Sequence, residues 1–157
     1  MIEREIHIHY REYGSVEELG PEDRELAAEA ILAMENAYAP YSHYHVGAAV
    51  RLDDGTIVRG SNQENAAFPS GLCAERTAMF AASALYPGRE MVSIALVGGA
   101  GGKLSAEPDT PCGACRQVMA QYQVRSGKPV SVIMVSADKV WKFEKVDDIL
   151  PLIFDGI

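Results

Sequence analysis

Hydrophobic and polar positions along this chain follow two periods, one suited to strands and one to helices. Ile6, Ile8 and Tyr10 are interleaved with Glu5, His7 and His9, so residues 4–10 are predicted to form an initial strand with one packed face. Gly20-Pro21 followed by Glu22 and Asp23 marks a helix start, with proline in the first turn, where a missing N–H does no harm. Leu26, Ala30, Ile31, Met34, Ala37 and Tyr38 then recur near helical spacing, predicting a helix from about residue 21 to 38, ended by Pro40. Strands are predicted over 46–52 and 56–60, on either side of the hairpin signal Asp53-Asp54-Gly55. A polar loop over 62–71 leads to a second helix near Cys73, with Ala78, Met79, Ala82, Leu85 and Tyr86 as its stripe and Pro87-Gly88 as its stop. Residues 91–97 read as a buried strand and 98–110 as a flexible loop. A third helix begins near Cys112, with Val118, Met119 and Tyr122 on one face. Strands over 130–135 and 140–143 follow, then a short helical tail running to Leu150-Pro151-Leu152-Ile153-Phe154.

Strands alternating with helices argue for an α/β architecture, a central sheet covered by helices, although the strand order within the sheet does not follow from the pattern. At 157 residues the chain is expected to form a single domain over 1–157, with residues 1–20 as an N-terminal strand extension. An apolar content of 48% and a charged content of 23% suit a globular core with a solvated surface. The longest apolar run is too short to span a bilayer, so no membrane partner is expected. The first ten residues mix charges and hold no apolar core of signal-peptide length, which makes the cytoplasm the expected compartment.

Charge narrows the partners. Acidic residues number 22 against 14 Lys plus Arg, and no basic run exceeds two residues. Affinity for nucleic acid comes largely from cations neutralising phosphates, so a net charge of −8 disfavours a polynucleotide and favours a small neutral ligand.

Three cysteines, Cys73, Cys112 and Cys115, are an odd number, and a disulfide would leave one over. As thiolates kept for a metal they account for all three. The two in Pro111-Cys112-Gly113-Ala114-Cys115 have the spacing with which two thiolates reach one tetrahedral zinc. Each cysteine group lies at a predicted helix start, where free N–H groups and the helix dipole stabilise thiolates. Three protein ligands leave a fourth position open, as in catalytic zinc, which lowers the pKa of water from 15.7 to about 7. Glu75, two residues after Cys73, is placed to move protons without ligating, and Arg76 and Arg116 are placed to offset the charge of three thiolates by hydrogen bonding to sulfur. The same residues leave other readings open: a redox CxxC pair, or a structural Cys₃His site completed by His43 or His45.

Four ordered blocks carry a more specific resemblance: Ala39-Pro40-Tyr41-Ser42-His43-Tyr44-His45-Val46-Gly47-Ala48-Ala49, Asn62-Gln63-Glu64-Asn65-Ala66, Cys73-Ala74-Glu75-Arg76-Thr77-Ala78 and Pro111-Cys112-Gly113-Ala114-Cys115-Arg116-Gln117-Val118. With them the chain resembles the homotetrameric zinc-dependent cytidine deaminases along most of its length. The resemblance implies a three-layer α/β/α sandwich with a central mixed sheet, a Zn²⁺ cofactor, and a zinc-activated water attacking C4 of cytidine or deoxycytidine to give uridine or deoxyuridine and ammonia. It implies Glu75 as proton shuttle. It further implies Asn62 and Glu64 at the ribose 3′-hydroxyl, and the Ala74 backbone and the Thr110 carbonyl at the pyrimidine edge. Ala66 and Phe68 would approach the 5′ end of a nucleoside in a neighbouring subunit, and Phe154 would cover a neighbour's site. Two departures stand out. Tyr44 replaces the usual phenylalanine that packs on the base, adding a hydroxyl that needs a partner if buried, and Phe68 stands where tyrosine is common. Deamination of a modified or drug-like nucleoside is the nearest alternative, and deamination of single-stranded nucleic acid a more distant one.

Overall fold

The computed structural model describes residues 1–155. Six strands form one mixed sheet: β1 (Arg11–Tyr13), β2 (Tyr44–Leu52), β3 (Ile57–Ser61), β4 (Met91–Ala100), β5 (Ser131–Val135) and β6 (Val140–Phe143). Their order across the sheet is β1-β6-β5-β4-β2-β3, and β4 and β5 are the parallel pair. Three helices cover the sheet: α1 (Pro21–Met34), α2 (Ala74–Leu85) and α3 (Gly113–Ser126).

Side-chain alternation along the strands sorts the core into two layers. Ala48, Val50, Ile94, Leu96, Val132 and Met134 point to the side covered by α2 and α3, where they meet Ala78, Met79, Ala82 and Met119. Ala49, Ala95, Val97, Ile133 and Val135 point to the other side, against Leu26, Ala27, Ala30 and Met34 of α1. The result is a three-layer α/β/α sandwich, as the family resemblance implied. The parallel β4–β5 pair needs a crossover, and α3 supplies it. Both zinc-motif helices therefore lie on one face of the sheet.

Their seating depends on a missing side chain. A Cβ on Gly60 of β3 would lie 2.3 Å from the Ala78 amide nitrogen and 2.6 Å from the Ala74 carbonyl oxygen. Glycine lets α2 approach β3 backbone to backbone, and this fixes the height at which the α2 N-terminus meets the sheet.

Four expectations shift. The first strand lies over residues 11–13, not 4–10, and pairs with β6. β6 spans only four residues, so Ile6 and Ile8 have no facing strand and stay exposed, while Tyr10 stacks on Phe143 with ring centroids 5.1 Å apart. The first helix ends at Met34, because the Tyr38 amide donates to the Asn62 carbonyl and the Glu64 amide to the Tyr38 carbonyl, pulling residue 38 into sheet-like pairing. The C-terminal stretch is not helical beyond a single 3₁₀ turn, Val146–Asp148; past it, Gln117 holds Phe154 by accepting from its amide and donating to its carbonyl. The segment after β4 is also more tied down than a flexible loop. Strand pairing continues to Ala100, the Ala137 amide donates to the Ser105 carbonyl, and the Ser136 hydroxyl donates to the Ala106 carbonyl.

Gly60→Ala, which forces the α2 backbone off β3, is expected to destabilise the fold by about 1–3 kcal/mol. Urea unfolding checks this as a lower midpoint at unchanged slope; an unmoved midpoint refutes the close approach.

Candidate metal centre and substrate cavity

Cys73 and Cys112 are the residues immediately before α2 and α3. Both have extended backbone, and neither side chain caps its own helix, so both sulfurs are free to turn toward a shared point. Cys115, buried in the first turn of α3, adds a third. The Sγ atoms of Cys73 and Cys112 lie 3.9 Å apart and those of Cys112 and Cys115 3.5 Å, and all three lie within 4.8 Å of one another. Two sulfurs on one tetrahedral zinc, each about 2.3 Å from it, are about 3.8 Å apart. The three cysteines are therefore positioned to bind a metal ion, and thiolates of this kind suit zinc. Among the described residues no histidine joins the cluster, so His43 and His45 do not complete a Cys₃His site.

The electrostatics favour a thiolate at this point. The Cys73 thiol is brought down to about 5, first by a hydrogen bond from Cys115 and then by the Arg76 guanidinium, against the opposing effect of burial. Cys115 moves up, because it gives that hydrogen bond and is desolvated. Arg76 donates from Nη2 to the Cys73 sulfur at 3.6 Å; among the described residues its buried Nε finds no hydrogen-bond partner. Arg116 does not reach sulfur. Its Nε donates to the Pro111 carbonyl at 2.8 Å and its Nη1 to the Ile149 carbonyl at 3.1 Å, because α3 turns it toward the C-terminal segment.

Glu75 lies in the first turn of α2 and is 4% exposed. Burial holds its carboxyl above the usual carboxylate range, and the neighbouring Cys73 thiolate adds to this. The residue lines a cavity of about 690 Å³ together with Cys73 and Cys112.

The same cavity gathers Tyr44, Asn62, Glu64, Phe68, Arg76 and Thr110 from the expected set. Asn62 also ties β2 to β3: its Oδ1 accepts from the Val46 amide and its Nδ2 donates to the Tyr44 carbonyl, both at 2.8 Å. Glu64 is held on one oxygen, which accepts from the Tyr41 and Ser42 amides at 2.9 and 3.3 Å. The Ser42 hydroxyl and then those amides hold its carboxyl below the usual range. Ala74 is fully buried behind the wall, Ala66 lies on the exposed loop after Asn65, and Phe154 is not part of the lining. Asp109 also lines the cavity, unforeseen from the sequence. The Tyr44 hydroxyl sits 2.7 Å from both of its carboxylate oxygens. A buried tyrosine hydroxyl in want of a partner was the available sign, but nothing in the spacing pointed to residue 109.

Residues 21–130 match the family model described as the cytidine and deoxycytidylate deaminase zinc-binding region. The cytidine deaminase of Halalkalibacterium halodurans is 49% identical over 96 residues, 61% of this chain and 68% of the relative. That of Mycobacterium tuberculosis is 40% identical over 97 residues, 62% of this chain and 68% of the relative. Among solved structures, the cytidine deaminase from Burkholderia pseudomallei superimposes with a TM-score of 0.69 at 42% identity, covering 83% of this chain and 97% of that one. The Mycobacterium tuberculosis cytidine deaminase structure gives 0.64 at 32% identity, covering 83% and 94%.

Cys112→Ser is expected to drop bound zinc, measured by elemental analysis after dialysis, well below the one ion per chain of the parent. Retention of a full equivalent would remove Cys112 from the ligand set.

Proposed function

We propose that this chain, which belongs to the cytidine and deoxycytidylate deaminase zinc-binding family, hydrolyses the 4-amino group of cytidine and deoxycytidine, giving uridine or deoxyuridine and ammonia. The observation that carries the reading is a buried carboxyl, Glu75, opening onto the same cavity as the sulfurs of Cys73 and Cys112 and the ring of Tyr44. Cys73, Cys112 and Cys115 hold zinc. When bound, the ion supplies Lewis-acid chemistry that makes water available as a nucleophile near neutral pH.

Glu75 moves the protons. Its carboxylate accepts one from the attacking water and delivers it to ring N3; it then takes the remaining hydroxyl proton of the adduct at C4 and passes it to the amine, which departs as ammonia while the C4 carbonyl forms. A carboxyl raised by burial suits a group that must both take and give a proton. Tyr44 offers its face to the pyrimidine and the Thr110 carbonyl reads the polar edge of the ring, whereas Ala74, fully buried, does not reach the cavity. Asn62 has an N–H to spare after its bond to Tyr44, and Glu64 keeps one carboxylate oxygen clear of the Tyr41 and Ser42 amides; both serve the ribose 3′-hydroxyl. Ala66 and Phe68 approach the 5′ end of a nucleoside held by a neighbouring subunit.

Charge in the cavity supports a nucleoside rather than a polynucleotide. Among the described residues, Glu64, Glu75 and Asp109 line it, and the one arginine there, Arg76, is engaged with the Cys73 sulfur. A phosphate would meet carboxylates without a free cation to offset them. A homotetramer belongs to the same proposal, with Phe68 (74% exposed) and Phe154 (67%) covered by neighbouring subunits. So does a place in cytoplasmic pyrimidine salvage, which agrees with three cysteines kept reduced for a metal.

Purified protein carrying measured zinc is expected to convert cytidine and deoxycytidine, followed by the loss of cytosine absorbance, and to leave single-stranded DNA unchanged. Turnover of DNA alone would overturn the substrate class. Glu75→Gln is expected to lower kcat by about 10²–10⁴-fold while zinc content stays at the parent level; undiminished turnover would remove Glu75 from the chemistry.

A further inference from the structure

We propose that Tyr44 and Asp109 form a latch that fixes the pyrimidine-binding end of the cavity before substrate arrives, making Asp109 a positioning residue for the base. The proposal rests on the nucleoside deaminase reading above.

Tyr44 is pinned at both ends. Its amide donates to the Ser42 hydroxyl at 3.0 Å and its carbonyl accepts from Asn62 Nδ2 at 2.8 Å, which fixes the backbone where β2 begins. At the far end the phenol donates its single proton to the Asp109 carboxylate, 2.7 Å from either oxygen. With both ends held, rotation about the side-chain bonds is blocked and the ring face is set. Burial and the Asp109 hydrogen bond both make the phenol proton harder to lose, so the donor persists at neutral pH.

Asp109 belongs to the segment between β4 and α3, next to Thr110 and three residues before Cys112, and both neighbours line the cavity with it. The Ser105 hydroxyl also reaches an Asp109 oxygen, at 3.0 Å, but it faces the Gly98 and Glu107 carbonyls at 3.0 and 2.9 Å and has one proton to share among three acceptors. The Tyr44 phenol directs its proton to the two oxygens of this one carboxylate. The latch therefore ties the ring on β2 to the Thr110 main chain, the two parts of the wall assigned to the face and edge of the pyrimidine. A charge-assisted bond between partly buried groups is strong enough to hold that geometry.

Gly98 makes room for the pair. A Cβ at that position would stand 2.5 Å from Asp109 Oδ2 and 3.2 Å from Tyr44 Cε1. Alanine there would displace the carboxylate without altering either hydrogen-bonding group, which gives a test independent of removing them.

The experiment compares the parent with Tyr44→Phe, Asp109→Leu, Asp109→Asn, Gly98→Ala and the double variant Tyr44→Phe/Asp109→Leu, all zinc-loaded. It measures KM and kcat for cytidine, the affinity for uridine by calorimetry, and zinc content. Tyr44→Phe, Asp109→Leu and Gly98→Ala are each expected to raise KM and weaken uridine binding roughly tenfold, with kcat within about threefold and zinc content unchanged. The double variant should lose less than the product of the single losses. Asp109→Asn, which keeps an oxygen for the phenol, should recover most of the loss seen with leucine. Single variants with KM and uridine affinity within twofold of the parent, or a loss confined to zinc content and kcat, would overturn the latch while the deaminase reading stands. A parent that neither converts cytidine nor binds uridine would overturn both.

Discussion

Two helix N-termini must bring their leading cysteines to one point, and the rest of the site follows from that requirement. A thiolate is favoured where unpaired N–H groups and the positive end of a helix dipole face it. Here Cys73 and Cys112 occupy that position on α2 and α3, with Cys115 in the first turn of α3. Both helices reach the point because they lie on one face of the sheet, α2 seated on Gly60 and α3 carried over by the parallel β4–β5 crossover. This arrangement brings residues 39 positions apart in sequence to a 3.9 Å contact.

Gathering sulfur creates an electrostatic problem that the neighbours address unequally. Arg76 donates to Cys73 and offsets part of the negative charge. Arg116, equally close in sequence to a cysteine, instead stitches the Pro111 and Ile149 carbonyls together and so steadies the irregular segment that leads through Cys112 into α3. Glu75 is left as a buried carboxyl beside a thiolate, with burial the larger of the two effects raising it. An acid–base group is served by that environment, whereas a surface glutamate at the start of a helix would simply remain ionised.

Much of this was legible in the chain itself. Strand and helix periods located the main elements, and the cysteine spacing pointed to a metal, because both signals are local and strong. The misreadings arose where distant partners decide the outcome. Ile6 and Ile8 alternate as a strand would, but β6 is too short to pair with them. Ala37 and Tyr38 continue the helical stripe, yet residue 38 is claimed by pairing with residues 62 and 64. Asp109 was invisible for the same reason: a carboxylate in an irregular stretch acquires meaning only when a tyrosine 65 residues away points its hydroxyl at it. Asn62 and Glu64 show the reverse, polar loop residues that could have been mere solvated surface but line the cavity while bracing its wall.

The central claim is that three sulfurs share one ion and leave its remaining position to a light ligand. X-ray absorption at the zinc edge of the loaded protein tests it most directly. The account predicts three sulfur scatterers at about 2.3 Å and one oxygen near 2.0 Å. A fourth sulfur, an imidazole signature, or fewer than three sulfurs on the metal would contradict it.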